Sequence, residues 1–377
     1  MRKHDKRPDA SHRAADAPAS TPALLSRRAV LKAAGVAAAV PMLSALMPAV
    51  LIKHVLPSHP IVRGNASMPL EPVTQQFIDS LDGLPPLYQL SPAEAHKVLT
   101  DVQSAPIAMR PADVADTTFP VGPTGTTSIR ITRPMGAKDL LPVLMFFHGG
   151  GWVLGDKVTH DRLVRELADG AHAAVVFVDY LNSPEAKYPT QNEQAYASMQ
   201  YVVDHARDLN VDASRLALMG DNVGGNMTAA VTLMAKERGG PKIAHQVLFY
   251  PLVDYIRDDN SFRRFSEGPW LIKKTLQWMF DLQGLDGTQD ITAYPLRASV
   301  EQLHGLPDAF IVTDDDVLQD QGEEYAGKLA LAGARVTAVR YNGTIHDFAM
   351  LNPLARTPAA RAAIQQAIDV LRDALHT

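Results

Sequence analysis

The stretch Gly220-Asp221-Asn222-Val223-Gly224-Gly225-Asn226 decides the fold of this chain. Ahead of it lies Leu216-Ala217-Leu218-Met219, which reads as a strand; behind it lies Met227-Thr228-Ala229-Ala230-Val231, which reads as a helix. A tight strand-to-helix turn with a glycine on either side of one position is the setting in which a nucleophile elbow presents its side chain. Gly220 and Gly224 frame position 222, where a serine is expected, but the residue there is Asn. An amide is no nucleophile. Asn is, however, among the few residues besides glycine that tolerate the positive φ of such an elbow, so the turn is expected to outlive its chemistry.

Upstream, the apolar run Pro142-Val143-Leu144-Met145-Phe146-Phe147 reads as a buried parallel strand, followed directly by His148-Gly149-Gly150-Gly151-Trp152. A glycine run at a strand end lets the backbone turn sharply and aim bare N–H groups at one point, since no Cβ blocks the approach. Donors placed where an oxyanion develops are often the largest catalytic contribution, and losing one costs roughly 3–4 kcal/mol. Gly149, Gly150 and Gly151 are candidate donors, with the N–H of Val223 beside them. Downstream, Ala309-Phe310-Ile311-Val312-Thr313-Asp314 is a β-branched strand that runs into Asp315-Asp316-Val317-Leu318-Gln319-Asp320. A carboxylate at a strand's C-terminal end lies where an open α/β sheet gathers its site. Arg335-Val336-Thr337-Ala338-Val339-Arg340-Tyr341 is another strand, and the loop after it carries His346-Asp347-Phe348. In the order elbow, acid, base, Asp316 would orient His346 and stabilise its imidazolium, and His346 would take a proton from residue 222.

From about residue 68 to its end the chain resembles the bacterial hormone-sensitive-lipase family of carboxylesterases, which have the α/β-hydrolase fold. The resemblance rests on five ordered motifs over roughly 200 residues. These are His148 to Trp152; Val178-Asp179-Tyr180 with Ser183-Pro184-Glu185; Gly220-Asp221 with Gly224-Gly225-Asn226; Asp316 with Leu318 and Asp320; and Ile345-His346 with Phe348. It implies a mostly parallel central sheet flanked by helices under a helical cap, short- to medium-chain acyl esters as substrates, and no cofactor. It also implies Asp316 and His346 as acid and base, and Gly149, Gly150, Gly151 and Val223 around the oxyanion hole. Trp152 is the expected substrate contact. The chain departs from the pattern at Asn222, Leu181-Asn182-Ser183, Val317 and Asp347, and only Asn222 strikes at the mechanism.

The register of Asp316, four residues before Asp320, selects it over Asp314 and Asp315. Asp320 itself is expected to cap a helix starting near Gln321, with Glu323 three residues on. His148 is expected to brace the glycine loop, Asp221 to be a turn residue, and Glu185 to organise the loop near the site. The amide of Asn222 has the reach to hydrogen-bond His346.

The chain has 377 residues, 46% of them hydrophobic, which is ample for a buried core. Its 36 basic and 41 acidic residues leave no electrostatic footprint for nucleic acid. With no cysteine, disulfides, thiolate metal sites and a cysteine nucleophile are excluded, a composition that suits an exported protein. No cluster has metal-ligand spacing, and no phosphate-cradling glycine motif is present. Residues 1–55 read as addressing: Ser26-Arg27-Arg28-Ala29-Val30-Leu31-Lys32 precedes an uncharged run over 33–52 and looks like a twin-arginine export signal. That run is near the ~20 residues that span a bilayer, although Pro41 and Pro48 weaken a straight helix. A cleaved signal and a retained anchor both stay open; either places the domain in the periplasm or on the inner membrane facing it. Residues 56–67 read as a linker and 68–377 as the catalytic domain, whose expected partner is a small-molecule ester. Nothing in the sequence sets an oligomeric state.

Within the domain, helices are expected over 73–81 and, capped by Ser91, over 92–102, so that residues 68–110 contribute to the cap. The strand over 128–133 is expected to begin the sheet. An aromatic-rich insertion at 254–293, with Trp270, Trp278 and Phe280, fits the rest of a mobile cap over an apolar pocket. The competing reading is that these aromatics pack the insertion's own core. Three histories of Asn222 stay open. The chain is an esterase inactivated at one position, or a pseudoenzyme that binds an ester or acid without turnover. Alternatively, deamidation supplies an Asp nucleophile, a route that β-branched Val223 slows by hindering backbone cyclisation. Loss of the serine in one well-studied triad costs about 10⁶ in turnover, so the chain as written is expected to be nearly inactive.

Overall fold

The computed structural model describes residues 69–377; the signal or anchor read at 1–55 and the linker at 56–67 lie outside them. Eight strands form one sheet: β1 (Ala112–Phe119), β2 (Thr127–Pro134), β3 (Leu141–Phe147), β4 (Ala174–Asp179), β5 (Val211–Asp221), β6 (His245–Phe249), β7 (Asp308–Asp314) and β8 (Val336–Tyr341). Their order is β1-β2-β4-β3-β5-β6-β7-β8. β1 and β2 pair antiparallel, as do β2 and β4, and every other pairing is parallel. This is the expected α/β-hydrolase arrangement with one correction. The sheet begins at β1, sixteen residues before the expected strand at 128. Residues 113–118 of β1 all face solvent, so this edge strand has no buried face to print a period of two on the sequence.

Inside the sheet that period is plain. Along β3, Leu144 and Phe146 enter one core while Val143, Met145 and Phe147 enter the other. The helices Asp161–Ala171 and Pro358–His376 cover the first face; Thr190–Asp204 and the elbow helix Val223–Arg238 cover the second. Parallel strands require helical crossovers, so each of β3, β5, β7 and β8 delivers its C-terminal end to the same edge. Residues 148–151, 222, 316 and 346 therefore emerge side by side although up to about 200 residues separate them.

The expected helices in the N-terminal segment are Pro72–Asp79 and Pro92–Gln103. Ser91 accepts the Glu94 N–H, and the Glu94 carboxylate accepts the Ser91 N–H at 2.9 Å, a reciprocal capping box. The insertion between β6 and β7 carries Asn260–Phe265 and Lys273–Gln283. The helix after β7 runs Gln319–Leu331, so Asp320 lies inside its first turn and not at the expected cap. Asp316 begins that turn itself, its carboxylate accepting the Leu318 N–H at 2.8 Å. Asp320 accepts the Ser261 N–H at 2.9 Å and ties the insertion down, while Glu323 pairs with Arg340 at 2.6 Å. No helix of the described residues is long and apolar enough to cross a membrane.

The elbow is wedged against the end of β3. A Cβ on Gly224 would land on the carbonyl oxygen of Phe147, and neither backbone can withdraw without breaking sheet or helix pairing. Gly224→Ala is expected to destabilise the fold by about 3 kcal/mol, the upper end of ordinary overpacking, read as a lower urea midpoint.

Candidate active site

β5 delivers Asn222 to the sheet edge with φ 53° and ψ −116°, the positive-φ elbow expected. Its N–H donates to Phe249 O at 2.9 Å, and its carbonyl accepts the N–H groups of Leu252 and Asn226, both at 3.2 Å. The position is thus held from both sides. The side-chain oxygen of Asn222 accepts from Gly150 N at 3.2 Å and Gly151 N at 3.0 Å. The amide oxygen therefore turns to the glycine loop and not to His346: two backbone donors, fixed by φ values of 103° and 65°, hold it there. Val223 opens the elbow helix, where a first-turn N–H has no partner within the helix.

Gly149 does not join this pair of donors. Its N–H goes to Asp221 Oδ1 at 3.1 Å, and Asp221 Oδ2 lies 3.2 Å from His160 Nε2, both side chains fully buried. Asp221 is more than the expected turn residue: it is the strut that spaces the glycine loop from the elbow. His160 had no signal in the sequence beyond being a polar residue just before an amphipathic helix. His148 braces the loop as expected. Its ring stacks on Tyr180 with centroids 4.0 Å apart, and its Nδ1 lies 2.9 Å from Gly149 O. Burial pushes its pKa down to about 3, so the ring stays neutral and serves as a spacer.

His346 and Asp316 meet as the sequence order requires. His346 Nδ1 is 2.5 Å from Asp316 Oδ2, with the side chains 2% and 1% exposed. The other two aspartates of the run have separate places. Asp315 accepts the Gly343 N–H at 2.8 Å and anchors the loop that carries His346. Asp314 is buried, and among the described residues neither of its oxygens has a hydrogen-bond partner. Burial, then the nearby Asp316 and Asp347 carboxylates, push its pKa well above the usual carboxylate range, which favours the neutral form. Asp314, Asp316 and His346 bring donor atoms within 4.8 Å of one another, a grouping that linear spacing hid; Asp316 and His346 engage each other within it.

On the far side of the imidazole, Asp347 Oδ1 lies 3.4 Å from His346 Nε2, and its Oδ2 accepts the indole N–H of Trp270 at 2.9 Å. Burial works against the imidazolium, but Asp347 and Asp316 outweigh it and raise the His346 pKa above the ordinary histidine value. Arg162, also missed, is a fully buried cation inside an otherwise apolar helix face. It donates to the carbonyls of Ala349 at 2.6 Å and Met350 at 2.9 Å and so pins the chain just after His346.

Asn222, His346, Gly150 and Gly151 line one cavity, walled by the N-terminal segment through Leu99 and by the insertion through Trp270. Both expected cap segments therefore reach it. Its free volume is about 30 Å³, room for about two water molecules. Trp270 faces this cavity, whereas Phe280 is core, its ring 4.7 Å from Tyr255, and Trp278 packs partly buried against the core. Trp152, expected to touch substrate, is instead buried beside Phe280, 6.4 Å between rings, away from the cavity lining. Its φ of 60° swings the side chain off the glycine loop into the core. Glu185 is exposed, and its loop is held by Ser183, whose hydroxyl donates to Ala186 O at 3.0 Å, and by Gln191, which donates to Leu181 O at 3.1 Å.

Residues 144–350 match the family model described as the alpha/beta hydrolase fold. The chain is 37% identical over 265 residues to the carboxylesterase NlhH of Mycobacterium tuberculosis, covering 68% of this chain and 82% of that protein. It is 35% identical over 314 residues to the carboxylic ester hydrolase LipN of the same organism, covering 80% and 81%. Among solved structures, a thermostable esterase from Pseudomonas putida superposes with a TM-score of 0.81 at 45% identity, covering 83% of this chain and 99% of that one. The chain belongs to the α/β-hydrolase family of carboxylesterase-like enzymes.

Proposed function

We propose that this chain is a carboxylic ester hydrolase of the bacterial hormone-sensitive-lipase type whose nucleophile position is filled by Asn222, which leaves it nearly inactive as it stands. The observation that carries the reading is the convergence of the Gly150 and Gly151 N–H groups on the elbow side chain, beside a buried His346–Asp316 pair in the same cavity. Those two N–H groups, with Val223, form the oxyanion hole; Gly149 contributes by fixing the loop through Asp221. His346 is base and then acid, and Asp316 orients it. The reaction inherited is two-step hydrolysis through an acyl intermediate on residue 222. Short- to medium-chain acyl esters are the substrate class, supported by apolar walls and little free volume, so the cap segments open to admit them. The side-chain oxygen of Asn222 occupies the hole and excludes a substrate carbonyl, a second handicap beside the missing nucleophile. Export on the twin-arginine route, to the periplasm or its membrane face, is proposed on Arg27-Arg28 and the run that follows.

A pseudoenzyme that binds an ester or acid without turnover is the second reading, favoured by Asp347. A carboxylate 3.4 Å from Nε2 holds a proton where a working base must release one. The test is hydrolysis of p-nitrophenyl acetate through octanoate by this chain and by Asn222→Ser. Turnover confined to the serine variant supports the hydrolase; two folded, silent proteins support the pseudoenzyme.

The serine variant also gives a pH prediction. His346 must be neutral to accept a proton, and its pKa is raised, so kcat/KM is expected to rise with pH through an inflection above the ordinary histidine value of about 6.5. Asp347→Asn removes one of the raising charges, so the inflection is expected to move to lower pH. An unmoved inflection would show that Asp347 does not act on the base.

A further inference from the structure

We infer that Asn222 is itself a substrate of this site: the folded chain converts Asn222 to Asp by direct attack of water on its side-chain amide. The inference rests on the ester-hydrolase reading above and extends it to a modification site on the protein. Three observations bear on the side-chain amide of Asn222. Its oxygen accepts from Gly150 N at 3.2 Å and Gly151 N at 3.0 Å, so negative charge forming on that oxygen is already provided for. His346, oriented by Asp316, lines the same cavity and is a general base. The cavity has room for about two water molecules, and water is the only co-reactant needed.

In the step, His346 takes a proton from a water whose oxygen bonds to Cγ, and the two N–H groups hold the charge on Oδ1. The Cγ–Nδ2 bond then breaks as His346 returns the proton to the departing nitrogen. Ammonia leaves and takes up the proton of the new carboxylic acid, giving an Asp carboxylate and ammonium. The backbone route to the same residue is obstructed. It needs the Val223 nitrogen to attack Cγ, yet Val223 is β-branched and buried, and the Asn222 carbonyl is tied by the Leu252 and Asn226 N–H groups. The two routes leave different products. Cyclisation opens to aspartyl and isoaspartyl linkages together, whereas direct hydrolysis leaves only the normal linkage.

The experiment incubates the full chain at neutral pH in ¹⁸O water, beside urea-unfolded chain and the variants His346→Ala and Asp316→Asn. The peptide containing residue 222 is then read by mass spectrometry. The expected result is normally linked Asp carrying one ¹⁸O, formed faster in the folded chain than in the unfolded one. It should form roughly 10² more slowly in His346→Ala, and circular dichroism checks the fold of each variant. Asp316→Asn keeps the shape of the carboxylate, so slowing there supports the inference even if His346→Ala misfolds. Isoaspartyl product, equal rates folded and unfolded, or no conversion of the folded chain would each overturn it. The esterase assay of Asn222→Ser runs alongside. An active serine variant with an unconverted Asn222 overturns this inference alone. A folded but inactive serine variant overturns the ester-hydrolase reading, whatever the mass of residue 222.

Discussion

Replacing Asn222 by Ser is expected to raise turnover of a p-nitrophenyl ester by about 10⁶, the size of the loss when a triad serine is removed elsewhere. At 1.36 kcal/mol per decade this is roughly 8 kcal/mol of barrier, more than any other single change in this site should produce. The elbow and the His346–Asp316 pair are already set, and the cap segments open as they do for any substrate. The elbow already stands at φ 53°, pinned by Phe249, Leu252 and Asn226, and His346 already engages Asp316. A serine hydroxyl is also shorter than the Asn amide, so it releases Gly150 and Gly151 to receive the substrate carbonyl. Asn222→Ala separates these two effects. It clears the donors without supplying a nucleophile and is expected to show only the residual ~10³–10⁴ over water that a hole and binding provide. Asn222, its donors filled, should fall below even that. If the alanine variant is no faster than Asn222, the amide does not obstruct the hole.

How much of this was legible in the sequence follows from how local each signal is. Strands buried on both faces, such as β3 and β7, print continuous apolar runs, and the parallel order forces their ends to one edge; residues 222, 316 and 346 could therefore be expected together from strand order, with the spacing to Asp320 selecting Asp316. β1 could not, because an edge strand with six solvent-facing residues has no hydrophobic period. The glycine run showed that a loop of bare N–H groups exists, but not which groups point where. That Gly149 faces Asp221 while Gly150 and Gly151 face residue 222 depends on a contact across 72 residues. Trp152 misled for a related reason: its neighbours fix where its Cα lies, and a φ of 60° decides where its ring goes. Asp347 was visible as a departure, yet its effect on His346 needs the side chain's direction, which no spacing encodes. Arg162 and His160 are polar residues made structural by distant partners, and their helix alone carries no trace of those partners.

The second large effect distinguishes the three aspartates. In the serine variant, Asp316→Asn is expected to lower kcat by about 10⁴, because an amide in that place can donate to His346 Nδ1 and leave Nε2 carrying the proton it should accept. Asp314→Asn, two residues away and equally buried, is expected to change kcat by less than about tenfold, on the order of 1.4 kcal/mol. The reason is protonation. Asp314 is buried beside Asp316, and burial together with that neighbouring charge holds its pKa well above the usual carboxylate range, which favours the neutral form. An amide closely matches a protonated carboxyl in shape and charge, so the substitution removes nothing that Asp316 feels. Replacing Asp314 by Ala would instead open a polar void and confuse packing with chemistry, which makes Asn the informative change. Should Asp314→Asn fall as far as Asp316→Asn, Asp314 would have to be ionised and share the work of orienting His346, and the single-acid assignment would fail. Should neither variant fall, His346 is held by its loop alone, with Asp315 on Gly343 and Arg162 on the Ala349 and Met350 carbonyls doing the orienting.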